Sequence, residues 1–132
     1  MTAGEHSDSD LVSDALKAME NAYAPYSGYR VGAAALTPGG RVFTGCNVEN
    51  RSYGLTVCAE RNAISAAVAA GETGIAKVAV VSDGKRRPLP CGACLQVMDE
   101  FGVKEVLVGN PDGTFENYNL RELLPRPFGR DG

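Results

Sequence analysis

Residues 58–71 read CAERNAISAAVAAG, residues 76–82 read AKVAVVS, and residues 90–101 read PCGACLQVMDEF. The first stretch is alanine-rich and closed by Gly71, which predicts a helix over 58–70 with small side chains suited to close packing on a sheet. The second is a continuous apolar run, the pattern of a strand buried on both faces. The third predicts another helix over 91–101. Helix, buried strand, helix is the heart of a layered α/β domain, and each of these helices opens on a cysteine.

Working outward toward the N-terminus, Val12, Leu16, Met19 and Tyr23 recur at helical spacing, and Pro25 ends the run. An amphipathic helix over 10–23 is expected, preceded by a polar tail over 1–9 in which His6 is solvated. Residues 30–36 and 41–46 read as strands joined by Thr37-Pro38-Gly39-Gly40, a hairpin signal. Toward the C-terminus, a loop over 83–90 precedes the 91–101 helix, and a strand follows over 105–108. Asn110-Pro111-Asp112-Gly113 is a turn signal, so the strand over 114–118 should return antiparallel. A short helical piece at 121–124 and a Pro/Gly-rich tail finish the chain. The order predicts one domain over 1–132 with a mixed five-stranded sheet, its last strand pair antiparallel.

Hydrophobic residues make up 44% and charged residues 22% of the 132, enough apolar material for a core. The polar, acidic N-terminus lacks the basic start and apolar stretch of a secretory signal, and no apolar run would span a bilayer. A cytoplasmic protein without membrane contact is expected. The net charge is −3, with no basic cluster beyond Lys85, Arg86 and Arg87. Nucleic-acid polymers are bound through phosphate neutralisation, so they are poor candidates for a partner, and a small uncharged substrate fits better.

Four cysteines (Cys46, Cys58, Cys91, Cys94) without an export signal point to metal or catalysis rather than disulfides. Cys58, Cys91 and Cys94 fall at predicted first turns of helices, where unpaired N–H groups and the positive dipole end favour thiolate. Two such turns meeting at a sheet edge would present three sulfurs to one ion. Zinc suits that set, and three protein ligands leave a fourth position for water, whose pKa a bound zinc lowers to roughly 7. Glu60, two residues beyond a ligand, is placed to move that water's proton to a substrate. Three thiolates around Zn²⁺ sum to −1, and Arg61 is the side chain expected to donate to the sulfurs and offset it.

Other readings of the same residues exist. Cys91-Gly92-Ala93-Cys94 also has the form of a dithiol redox motif, although this leaves Cys58 and Glu60 unused. A structural zinc site would need Cys46 as fourth ligand; otherwise Cys46 is a small buried hydrophobe at a strand end. Asn47 and Glu49 could be loop groups that cap backbone, and Tyr29 and Phe128 could be core or interface aromatics.

Taken in order, Pro25-Tyr26-Ser27, Val31-Gly32-Ala33-Ala34, Gly45-Cys46-Asn47-Val48-Glu49-Asn50, Cys58-Ala59-Glu60-Arg61, Pro90-Cys91-Gly92-Ala93-Cys94 and Glu122-Leu123-Leu124-Pro125 with Phe128 resemble the motifs of the small homotetrameric cytidine deaminases. A ligand, a Glu two residues on and a later Pro-Cys-x-x-Cys is a general signature of zinc deaminases. The likeness covers nearly the whole chain beyond its first ten residues. It implies a three-layer α/β fold with helices on both sheet faces, one Zn²⁺ per chain on Cys58, Cys91 and Cys94, and Glu60 as proton shuttle. It implies further that Asn47 and Glu49 hold the ribose, that the backbone at Ala59 meets the base carbonyl, and that Tyr29 lies against the base. Phe128 would come from a neighbouring subunit of a homotetramer with shared active sites. The implied reaction is hydrolytic deamination of cytidine and deoxycytidine in pyrimidine salvage. Position 29 is Tyr where that family usually has Phe, so its hydroxyl needs a partner. Position 95 is Leu where the family commonly has Arg. Deaminases acting on polynucleotides or on other cytosine compounds, and a noncatalytic zinc module, are the alternatives. The antiparallel turn at 110–113 and the carboxylate of Glu49 speak for a free nucleoside.

Overall fold

The computed structural model describes residues 6–129. Helix α1 (Asp8–Met19) begins at an N-cap, Ser7, whose hydroxyl accepts from the Asp10 N–H at 3.0 Å while Asp10 accepts from the Ser7 N–H at 3.2 Å. This reciprocal box recruits residues 8 and 9, so the helix starts earlier than the polar pattern predicts. His6 is a second correction: its side chain is 13% exposed and its Nε2 lies 3.0 Å from Asp14 Oδ2, so it packs on the helix. Residues 1–5 of the predicted tail lie outside the described residues. At the other end the helix stops at Met19 rather than reaching Tyr23. The backbone of Tyr23 pairs instead with the chain at 47–49, donating to Asn47 O and accepting from Glu49 N, both at 2.9 Å.

Five strands follow: β1 (Val31–Leu36), β2 (Val42–Cys46), β3 (Lys77–Ser82), β4 (Glu105–Gly109) and β5 (Phe115–Asn119). They form one sheet of order β2-β1-β3-β4-β5. The β1–β2 hairpin is antiparallel, as is the β4–β5 pair that follows the 110–113 turn. β1 also pairs antiparallel with β3, while β3 and β4 run parallel. A parallel pair needs a long crossover, and helix α3 (Gly92–Glu100) lies within it. The sheet is mixed, as the element order predicts.

Strand side chains alternate between faces. Ala34, Leu36, Ala79, Val81 and Leu107 pack against Leu11, Val12 and Ala15 of α1. On the other face Ala33, Ala35, Val78, Val80, Val106 and Val108 meet α3 and helix α2 (Ala59–Ala69), through Ala63, Ile64, Ala67, Cys94, Leu95 and Met98. The result is three layers, with α1 on one side and α2 and α3 on the other. A short α4 (Leu120–Leu123), boxed by Asn119 and Glu122, ends the described structure's regular elements. Among the described residues no helix is long and apolar enough to cross a membrane.

The alanines of α2 allow that helix to lie close on the β1–β2 edge, and Gly45 in β2 is where the approach is tightest. A methyl group there would sit 2.5 Å from Ala63 N and 2.8 Å from Ala59 O. Backbone cannot rotate aside as a side chain can, so Gly45→Ala must push α2 off the sheet. We expect destabilisation of about 1–3 kcal/mol or more, read as a lowered denaturant midpoint. Activity should fall with it, because α2 carries Glu60. A variant as stable as the parent would show that α2 is not held at this distance.

Candidate active site

Two helix starts build the site. Cys58 is the N-cap of α2 and Cys91 the N-cap of α3, both with extended backbone and neither using its side chain as a cap. Their sulfurs are therefore free to face outward from the helix ends. Cys94 lies in the first turn of α3. The Cys58 and Cys91 Sγ atoms are 4.0 Å apart and those of Cys91 and Cys94 3.5 Å, with all three within 4.8 Å of one another. Zinc–sulfur bonds of about 2.3 Å in a tetrahedron require sulfurs about 3.8 Å apart, so the cluster fits a zinc ion with little adjustment. Neither Cys46 nor Glu60 belongs to it. Cys46 stands at the end of β2 with its carbonyl accepting from Asn62 Nδ2 at 2.8 Å. A site closed by four sulfurs is thereby set aside, and an ion held by three protein ligands would leave a fourth position for water.

The electrostatics follow from burial and hydrogen bonding. The neighbouring Cys94 thiol holds the Cys58 thiol well below its ordinary value; against some desolvation, the Arg61 guanidinium and Cys91 add to this. The nearness of Cys58 and burial push Cys94 up. Arg61 Nη2 lies 3.6 Å from Cys58 Sγ, placing the expected cation beside the sulfurs, and its Nε is buried with no hydrogen-bond partner among the described residues. Glu60 is 4% exposed, and desolvation raises its carboxyl from 4.5 to about 7.

The chain at 47–49 runs beside this cluster because Val48 pairs with Val57, the residue before Cys58. A cleft of about 360 Å³ joins the two, lined by Cys58, Ala59, Glu60 and Cys91 at one end and by Tyr29, Asn47 and Glu49 among others. Asn47 is nearly buried; its Oδ1 accepts from Val31 N at 2.9 Å and its Nδ2 donates to Tyr29 O at 2.8 Å, so the amide braces the start of β1 and keeps one N–H to spare. Glu49 accepts from the backbone N–H groups of Tyr26 and Ser27 and from the Ser27 hydroxyl. Desolvation pushes its carboxyl up, but the Ser27 and Tyr26 bonds together outweigh it and hold the carboxyl below the usual range.

The hydroxyl of Tyr29 finds its partner in the Arg86 carbonyl at 3.1 Å, and the Arg86 guanidinium stacks over the ring at 4.3 Å. Leu95 takes its place in the core at 7% exposure. Of the residues expected to touch the substrate, Phe128 does not line this cleft; Cys94 and Arg61 lie behind its wall. The Phe128 backbone is pinned to Gln96 by two hydrogen bonds, and its ring is 87% exposed. Sequence reasoning passed over Ser27 and the 86–89 segment as parts of the wall. Ser27 was visible only as one letter of a motif, and the 83–90 loop carries no periodicity to read.

A family model described as the cytidine and deoxycytidylate deaminase zinc-binding region matches residues 5–110. The chain belongs to that family. Within this zinc-binding deaminase family it is 47% identical over 120 residues to the cytidine deaminase of Halalkalibacterium halodurans, covering 89% of this chain and 91% of that one. It is 45% identical over 121 residues to the cytidine deaminase of Mycobacterium tuberculosis, covering 92% and 89%. The crystal structure of cytidine deaminase from Burkholderia pseudomallei superposes with a TM-score of 0.86 at 47% identity, over 92% of this chain and 99% of that one. The three-layer fold of the cytidine deaminases is therefore the fold of this chain, and the three-cysteine cluster, which could hold one zinc, lies within the matched region.

Proposed function

We propose that the protein hydrolyses cytidine and deoxycytidine to uridine and deoxyuridine with release of ammonia, a step of pyrimidine salvage. The observation that carries this reading is a nucleoside-sized cleft whose lining includes Cys58 and Cys91 of the three-sulfur cluster, the buried Glu60 carboxyl, and Asn47 with Glu49.

A zinc ion held by Cys58, Cys91 and Cys94 would supply Lewis acidity that brings a bound water's pKa toward roughly 7. Glu60 takes one proton from the water and gives it to the ring nitrogen beside the reacting carbon. It then carries the second proton to the amine, so that water and cytidine leave as uridine and ammonia. A carboxyl whose pKa is raised to about 7 can both accept and release a proton near neutrality. The Ala59 N–H, in the first turn of α2 and without an intrahelical partner, donates to the base carbonyl. Tyr29 gives the base a flat wall. The spare Asn47 N–H and the Glu49 carboxylate take the sugar hydroxyls. Arg61 draws charge from the sulfurs.

The exposed, backbone-pinned Phe128 suits a ring that completes a neighbour's site, so we read the enzyme as a homotetramer with shared active sites. The reading takes residues 1–132 as one domain and, from its four free cysteines, places it in the cytoplasm. Loss of ultraviolet absorbance tests the function directly. Cytidine and deoxycytidine should turn over; cytidine monophosphate, repelled by Glu49, and adenosine should be at least tenfold poorer. No turnover of any of the four would refute the assignment. Sedimentation of the same preparation as an active monomer would refute the shared site.

A further inference from the structure

We infer that Ser27 is a positioning residue for sugar recognition, its hydroxyl fixing the Glu49 carboxylate so that one acceptor position faces the substrate. The inference rests on the reading of Glu49 as a sugar-holding group. A carboxylate offers about four lone-pair positions. Two on Oε1 are filled, by the N–H groups of Tyr26 at 2.9 Å and Ser27 at 3.1 Å. The Ser27 hydroxyl fills one on Oε2, which leaves one on that oxygen. The hydroxyl is itself held, because its oxygen accepts from the Tyr29 N–H at 3.0 Å.

The frame around this clamp is tied at both ends. Tyr23 is paired to the 47–49 segment, the turn closes through Gly28 N to Ala24 O at 2.9 Å, and Lys85 Nζ holds the Gly28 carbonyl at 2.7 Å. Gly28 has φ of +69°, a conformation that other residues resist. Ser27 and Glu49 both line the cleft described above. Without the hydroxyl, Oε1 stays bound while Oε2 loses the one side-chain restraint it has among the described residues, and the open acceptor is no longer fixed in direction.

The test compares cytidine with 2′,3′-dideoxycytidine, which keeps the reacting base and lacks both ring hydroxyls of the sugar. Ser27→Ala in the zinc-loaded enzyme should lower kcat/KM for cytidine roughly tenfold, mostly through KM. The dideoxy substrate should lose less than about twofold. Ser27→Thr, which keeps a hydroxyl, should recover most of the cytidine loss. If Ser27→Ala lowers the Tm of the holoenzyme, Ser27→Cys, near in size and a weak donor, is read in the same way. Equal losses on both substrates, or none on cytidine, would overturn the inference. Glu49→Gln on the same pair separates the two levels. If it discriminates between the substrates while Ser27→Ala does not, the role of Ser27 alone fails. If Glu49→Gln does not discriminate either, the sugar-holding reading fails with it.

Discussion

Glu60→Gln should abolish nearly all turnover while leaving the fold and the zinc in place. The amide matches the carboxyl in shape but cannot take a proton from water, and one positioned general base is worth roughly 10²–10⁴ in rate. Because the same carboxyl serves both proton transfers, the loss should lie at or beyond the upper end. Zinc content measured per chain should stay at one, since Glu60 is not among the clustered ligands. Near-normal kcat in this variant would sink the mechanism. A second readout comes from stability. The folded carboxyl is raised from 4.5 to about 7, so the fold favours its protonated form. Its contribution is full below about 4.5 and is lost as pH rises through about 7. The metal-free Glu60→Gln protein, which has no charge to bury at that position, should therefore gain on the metal-free parent in denaturant midpoint as pH is raised from about 5 to 8. A difference independent of pH would mean that Glu60 titrates normally.

Replacing Cys58, Cys91 or Cys94 by Ser should remove stably bound zinc and with it essentially all activity. Cys46→Ser should keep both. Only the first three sulfurs approach one another closely enough to share an ion, and the serine hydroxyl is a poor ligand in its neutral form. Chelation of the parent should lose activity that added zinc restores. At free zinc about 1,000 times its Kd, binding stabilises the fold by about 4 kcal/mol, so the stripped protein should melt lower. Uptake at neutral pH should also release protons, because the sulfurs bind as thiolates and burial beside Cys58 pushes the Cys94 thiol up in the metal-free protein. Zinc affinity should fall about tenfold for each pH unit lowered per proton displaced. Zinc retained by a Cys94→Ser variant at parental affinity, or lost by Cys46→Ser, would contradict the ligand assignment.

The parts of this fold that were legible in the sequence are those whose causes lie a few residues apart. The Ala-rich face of α2, the continuous burial of β3, the hairpin turn before β2 and the 110–113 turn that makes β4 and β5 antiparallel are set by neighbours within a turn or a hairpin. The same holds for Cys58 and Cys91 at helix starts, which is why the metal cluster could be read before any coordinates. Where α1 begins and ends was less legible, since the capping box at Ser7 and the pairing of Tyr23 with 47–49 compete with the apolar period.

What only the tertiary structure decided lies between residues far apart in the chain. Sequence spacing leaves Cys46 as near to Cys58 as any other candidate, yet the β1–β2 register carries it away from the cluster. The hydroxyl of Tyr29 is answered by a carbonyl 57 residues away, and the carboxylate of Glu49 by a turn some 22 residues before it. Both meetings depend on the strand order β2-β1-β3-β4-β5, which brings the ends of separate elements to one edge. Local patterns specify the elements because backbone hydrogen bonding and side-chain burial repeat over short periods. They do not specify which loops meet above the sheet, because that depends on the packing of the whole domain. The sequence alone therefore picked out the three cysteines that cluster and the Glu60 that is buried, while the walls of the cleft and the clamp on Glu49 became visible only in the folded molecule.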